Sequence, residues 1–292
     1  DSSIILSSKW ESQDDLIDVP LQFQNKFSWI QYSCHFDSFV ECSYRVMLEL
    51  QPELFLENNV NVESDAQITG DCIRIFESIL KIRHFCSSKN SYLFKQQLRR
   101  NLDRIKFDKY SPHKGSSNRL SNINHWLSIF EDNLNFPFGV KVRNVDNCSH
   151  GQRAEERMRT NLFLTVKNSI SETLNEWKEK ISRGKDIGKT YCPEETCSFV
   201  HSFNEIEIPK AFTLTPTSSK TVTDENVNFL DHSFELVAFS FLRDGHYVAI
   251  IKQEKEWFNI DGMNSVSSLT LTDVKFHLVN NDDLVLFYVR KS

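Results

Sequence analysis

Three residues far apart in the chain have the types and local settings that nucleophilic catalysis requires. Cys34 lies in Trp29-Ile30-Gln31-Tyr32-Ser33-Cys34-His35-Phe36-Asp37-Ser38, where an aromatic-rich segment meets an apolar-periodic one. From Ser38, apolar residues at Phe39, Val40, Tyr44, Met47, Leu48 and Leu50 follow a helical period until Pro52, so Cys34 precedes or opens a helix. A thiol there meets the positive end of the helix dipole and unpaired N–H groups, which favour the thiolate.

His246 follows the turn-forming pair Asp244-Gly245 and starts the apolar run Tyr247-Val248-Ala249-Ile250-Ile251. The next run, Trp257-Phe258-Asn259-Ile260-Asp261, ends in a carboxylate. If the two runs pair as a hairpin through Gln253 to Lys255, His246 comes beside Asp261, as a base beside its orienter. Cys34 would then attack an acyl carbon, His246 would take and return protons, and Asp261 would fix the imidazole tautomer. His35 adjoins the thiol in sequence, but successive helical side chains point about 100° apart, so it is expected to face away or line the groove.

A second group has metal-ligand character. Cys148 and His150 form a C-x-H pair, and Cys192 and Cys197 a C-x4-C pair, each in a polar, turn-forming stretch. Four N or S donors from two knuckles suit a tetrahedral structural zinc, with His201 as the alternative to His150.

The elements that must position these groups divide the chain in two. Helical patterns recur at 71–85, 92–105 and 119–134, with a polar loop at 111–117. After Pro137 the reading changes to strands at 138–145, 161–166, 205–215, 234–242, 247–253, 256–261 and 283–290, with one helix at 169–182 capped by Ser169 or Ser171. A helical half leading into a mostly antiparallel half implies an α+β fold.

Composition sets the outer bounds. With 292 residues and 39% hydrophobic content the chain can bury a large core. A net charge of −6 with interspersed signs supplies no basic face for a phosphate backbone, so no nucleic-acid ligand is expected. No apolar run approaches the roughly 20 residues of a bilayer span, and no membrane partner is expected. The seven cysteines form no disulfide framework, which points to a reducing, intracellular compartment, cytoplasm or nucleus. The start at Asp1 rather than Met is expected of a fragment excised from a longer polypeptide.

These motifs together resemble the ubiquitin-specific proteases, papain-like cysteine isopeptidases with thumb, palm and fingers. Cys34-His35-Phe36-Asp37-Ser38 resembles the family's nucleophile box, C-Y-x-N-S, with Asp in place of Asn. Gly245-His246-Tyr247-Val248-Ala249 and Trp257-Phe258-Asn259-Ile260-Asp261 resemble its second box, G-H-Y-x-A followed by W-y-x-f-D. The two cysteine pairs and Ile208-Pro209-Lys210-Ala211-Phe212-Thr213-Leu214 resemble its fingers and the edge strand that follows. The resemblance spans about Trp29 to Arg290. It implies one catalytic domain over 1–292, with a thumb-like helical half at about 29–136, zinc-bearing fingers at about 137–215 and an antiparallel palm at about 205–292.

The implied activity is hydrolysis after the C-terminal Gly-Gly of ubiquitin or a ubiquitin-like modifier, with ubiquitin favoured. Three departures bear on this. The family's oxyanion Asn is replaced by Trp29, leaving Gln31, with Gln24 further off and the Cys34 backbone N–H, as candidate donors. Gly262 stands where a second Asp often follows the triad Asp, and the segment 216–233 is shorter than the usual insertions. A compact core with Asp37 three residues after the nucleophile also resembles the SUMO-cleaving branch. The alternatives are thus a SUMO isopeptidase and an inactive modifier-binding module; a general papain-like peptidase would not explain the finger cysteines.

Overall fold

The structure, a computed structural model, describes residues 34–56, 71–85, 88–110, 123–148, 150–182, 199–217, 224–261 and 266–291. Helix α1, Cys34–Leu50, opens at Cys34, and every residue from His35 to Met47 is buried. Phe, Val, Tyr and Ser are indifferent helix formers, so packing rather than propensity holds it. A 3₁₀ turn at Pro52–Phe55 follows, then α2 (Cys72–Phe85), α3 (Ser88–Tyr110) and the short α4 (Ile123–Ile129). Asp71 starts α2, its Oδ1 accepting from the N–H groups of Ile73 and Arg74. The helix expected over 119–134 is thus confined to α4 among the described residues, with turns replacing its last part.

The remainder is β1 (Val140–Cys148), β2 (Gly151–Arg159), β3 (Leu162–Leu164), α5 (Ile170–Ser182), β4 (Phe199–Ile206), β5 (Ala211–Pro216), β6 (Asn226–Phe229), β7 (His232–Arg243), β8 (His246–Gln253), β9 (Glu256–Ile260), β10 (Ser267–Leu269), α6 (Leu271–Asn280) and β11 (Asp282–Arg290). A three-stranded sheet has the order β2-β1-β4; a larger one runs β10-β9-β8-β7-β11-β5-β3, with β6 also on β7. Among the described residues all pairings are antiparallel except β3 with β5. This is the expected α+β class. The strand expected over 205–215 is instead two strands in different sheets, because Pro209 lacks an N–H and interrupts the ladder. Ser169 is the α5 cap, its Oγ accepting from the Glu172 N–H; Ser171 instead accepts from the Asn228 N–H.

The large sheet is buried on both faces. Tyr247, Ala249 and Ile251 of β8, with Val285, Phe287 and Val289 of β11, pack against Phe36, Phe39 and Val40 of α1 and the helices beyond it. The alternate residues, Val248, Ile250, Leu284, Leu286 and Tyr288, pack with Ile170 and Leu174 of α5 and Val274 and Leu278 of α6. That explains why β8 reads as a continuous apolar run. On the far side of α1, Phe39 lies against Phe76, Trp126 and Phe130.

Two buried ion pairs tie α1 to its helical neighbours. Arg83 of α2 donates Nε and Nη2 to the two carboxylate oxygens of Glu41, at 2.7 and 2.8 Å. Lys95 of α3 is paired with Asp37, and both are almost fully buried. No helix among the described residues is long and apolar enough to cross a membrane.

Candidate active site

The site is built from one helix start and three strand ends. Asp244 and Gly245 both have positive φ, 50° and 78°, and connect Arg243 directly to its partner His246. Such a two-residue turn matches the twist of the strands it joins, and Asp-Gly is the pair best suited to it. It fixes His246 as the first residue of β8. The next hairpin turns through Glu254 (φ 53°), setting the register Ala249 opposite Ile260. Continuing that register by one step brings Asp261 opposite Val248, on the face shared with His246 two residues earlier.

His246 Nε2 lies 2.7 Å from Asp261 Oδ1. The carboxylate is 8% exposed and the imidazole 21%. Cys34, half-buried at the start of α1, is hydrogen-bonded to His246 and to the backbone at Tyr247 and His35. Because Nε2 is engaged with Asp261, Nδ1 is the ring nitrogen turned to the thiol. The structure therefore brings together Cys34, His246 and Asp261, the three residues whose roles the sequence suggested.

The electrostatics follow from that contact list. Burial alone would raise the Cys34 pKa, but the hydrogen bonds from His246 and the Tyr247 backbone and the His246 charge outweigh it, so the thiol is shifted down. His246 is pushed up to about 9, first by its bond to Asp261 and then by its bond to Cys34, against the effect of burial. Both shifts favour a thiolate–imidazolium pair near neutral pH, and the two groups titrate as a unit.

His35 turns away, as expected. Its Nδ1 accepts a 2.8 Å bond from Trp126 Nε1, with the two rings stacked, and the side chain is 4% exposed. Cys42 is buried within α1, where burial and the Glu41 charge raise its pKa well above the usual thiol value; it is no rival nucleophile. Trp29, Gln31, Gln24 and Gly262 lie outside the described residues.

Of the metal candidates, Cys148 ends β1 and His150 sits exposed in the following turn. Cys192 and Cys197 lie outside the described residues, and His201 is on β4 opposite Asn147. Among the described residues no group of three or more His, Cys, Asp or Glu side chains could hold a metal ion. The register places Phe199 opposite Cys148, so the chain leaving the C-x4-C segment enters the sheet beside the C-x-H pair.

One contact had no signal in the sequence. The Tyr247 hydroxyl donates to Asp283 Oδ2 at 3.2 Å across the width of β7. An Asp at the start of a strand, 36 residues on, is not recognisable as a partner until the register is known.

No known family model matches the chain, and no curated protein matches it. Solved structures do. The Saccharomyces cerevisiae apo Pan2 pseudoubiquitin hydrolase–RNA exonuclease module in complex with AAUUAA RNA is 12% identical with a TM-score of 0.54, over 100% of this chain and 56% of that one. The same module with AAGGA RNA is 11% identical with a TM-score of 0.52, over 99% and 57%. The Ubp8-Sgf11-Sgf73-Sus1 SAGA DUB module is 12% identical with a TM-score of 0.47, over 93% and 69%. At these identities the Pan2 likeness is one of fold, and the chain spans just over half of the Pan2 chains. The protein thus has a fold distantly similar to that of a pseudoubiquitin hydrolase module.

Proposed function

We propose that this chain is a thiol isopeptidase that cleaves after the C-terminal Gly-Gly of ubiquitin or a ubiquitin-like modifier. The observation that carries the reading is the assembled Cys34–His246–Asp261 constellation, with the thiol shifted down and the imidazole shifted up. Cys34 Sγ attacks the glycine carbonyl carbon as the thiolate. Imidazolium Nδ1–H gives its proton to the departing amine, leaving a thioester. His246, now neutral, takes a proton from water as the water attacks that thioester; the C–S bond breaks to expel the Cys34 thiolate, which restores the thiolate–imidazolium pair, and the product acid leaves, giving its remaining proton to solvent as it becomes a carboxylate. Asp261 holds Nε2–H throughout.

The oxyanion is assigned to the Cys34 backbone N–H and, by proposal, the Gln31 amide. Ubiquitin is preferred to SUMO as the modifier. Thumb, fingers and palm are assigned to 29–136, 137–215 and 205–292, although β3 and β5 within the finger interval belong to the large sheet. A structural zinc is assigned to Cys148, His150, Cys192 and Cys197, a thiolate and imidazole set that suits it. A reducing intracellular location is part of the same reading, from the scatter of the seven cysteines along the sequence.

The second reading is a module that binds the modifier without cleaving it, favoured by the pseudoubiquitin hydrolase description of the Pan2 module. A panel of ubiquitin, SUMO and other modifiers carrying a C-terminal electrophile separates the two. A covalent adduct on Cys34, formed fastest with ubiquitin, is the expected result. Faster SUMO adduct would move the modifier assignment, and no adduct with any member would leave the binding module.

A further inference from the structure

Tyr247 follows the base in sequence, yet its side chain points to the opposite face of the sheet, into the core beneath α1. At this level three strands lie side by side: Tyr247 of β8 pairs with Leu242 of β7, and Leu242 pairs with Asp282 of β11. The Tyr247 ring crosses over β7, two strand spacings or about 10 Å, and its hydroxyl donates to Asp283 Oδ2. The ring is 6% exposed.

The partner is unusual in its backbone. Between the pairs Asp282–Leu242 and Val285–Ser240, β11 advances three residues while β7 advances two, so β11 carries a bulge. Asp283 sits in that bulge at φ 49°. A left-handed conformation suits glycine, is tolerated by Asp and Asn, and is strained for other residues. Bulges beside sites commonly re-aim a side chain, and this one aims a carboxylate at a buried phenol. At its other end, Tyr247 presents its backbone to the Cys34 thiol, one of the contacts that lower the thiol pKa. The phenol pKa is raised, first by burial and then by Asp283, with a smaller effect from Cys34, so the hydroxyl keeps its proton and remains a donor.

We propose that Asp283 and Tyr247 form a positioning pair that fixes the first turn of β8, so that the Tyr247 backbone stays hydrogen-bonded to Cys34 Sγ and the thiolate is held ready. The bulge carries an Asp, which tolerates the left-handed backbone and supplies the acceptor for the tyrosine hydroxyl. Asp283 acts on the thiol through Tyr247, whereas His246 acts directly. This rests on Cys34 being the activated nucleophile, and it needs no knowledge of the modifier.

The test follows the pH dependence of iodoacetamide alkylation at Cys34, read by mass spectrometry of the peptide that holds it. Asp283→Gly suits the left-handed backbone at least as well and removes the acceptor. It is expected to keep or raise the Tm while moving the alkylation midpoint up by about half a unit, the scale of one hydrogen bond. Tyr247→Phe, which keeps the ring, should move it equally, and the double variant no further. Asp283→Asn tolerates the same backbone and offers a carbonyl oxygen, so it should retain the wild-type midpoint. Unchanged midpoints in the glycine and phenylalanine variants, or shifts that merely track a falling Tm, would overturn the pair. A wild-type midpoint no different from that of the urea-unfolded chain would remove the nucleophile itself, and this inference with it.

Discussion

The imidazole at position 246 is bonded on both nitrogens, and that sets what each neighbouring residue contributes. Cys34→Ala removes the attacking sulfur and should abolish cleavage without unfolding α1, since a small apolar side chain replaces a half-buried thiol. His246→Ala should be nearly as inactive. Asp261→Asn should cost about a hundredfold less, because the orienter is the least expensive member of such a set to lose. It should also change the shape of the pH profile. The bond to Asp261 is the largest influence holding His246 up at about 9, and above that value the imidazolium proton is lost. Wild-type kcat should therefore fall on the alkaline side near pH 9. In Asp261→Asn that limb should move down toward the ordinary imidazole value of about 6.5. A limb that stays near 9 in the variant would assign it to another group. For Gln31→Ala, turnover at saturating modifier should fall by about 100-fold or more with KM unchanged if its amide meets the oxyanion. A turnover within about threefold of wild type would leave the backbone N–H as the donor.

Helix α1 carries the proposed nucleophile, and two of its three acidic residues, Asp37 and Glu41, are one helical turn apart and buried against Lys95 and Arg83. Removing one partner strands the other charge in a low-dielectric interior, which typically costs about 3 to 5 kcal/mol, whereas replacing both with apolar residues is far less costly. Glu41→Leu should thus lower urea stability by about that amount, and Glu41→Leu with Arg83→Met should recover most of it. Additive losses in the double variant would mean that the two side chains are not coupled, and a double-variant loss as large as that of Glu41→Leu alone would mean that the bidentate bond stabilises the fold more than an apolar pair does. Asp37 and Glu41 were visible in the sequence as charges in an apolar helix, but their partners were not. The same contrast runs through the other elements. The Asp244-Gly245 turn was legible because its chemistry is local, and it delivered His246 and, through the next hairpin, Asp261. Strand β2 was not, since Gln152-Arg153-Ala154-Glu155-Glu156-Arg157 has no alternation and is held by its ladder with β1. Helix α6 was missed too: its capping box pairs Thr270 with Asp273 rather than Glu or Gln, and only Val274 and Leu278 are buried along it.

At the scale of the molecule, the two sheets differ in what holds them. The large sheet is covered on both faces, whereas among the described side chains of the sheet β2-β1-β4 the buried apolar residues are Val140, Val142, Val145 and Met158. Its surface pair of Arg143 with Glu205 is exposed and worth about 0 to 1 kcal/mol. A three-stranded sheet gains from a staple, and the end farthest from Val140 is where the proposed zinc would act. There Cys148 pairs with Gly151 on one side and Phe199 on the other. Two of the four proposed zinc donors, Cys148 and His150, belong to the turn at that end of the sheet. Protein prepared without chelator should hold about one zinc per chain. Stripping that zinc should raise hydrogen exchange across β1, β2 and β4 while leaving α1, β8 and the alkylation midpoint of Cys34 as they were, because the nucleophile is braced by the other sheet. Zinc-free protein with unchanged exchange in those strands would instead mean that the ladder and its valines suffice. A collapse of exchange protection throughout the chain would show that the two sheets fold as one cooperative unit, with the metal stabilising both.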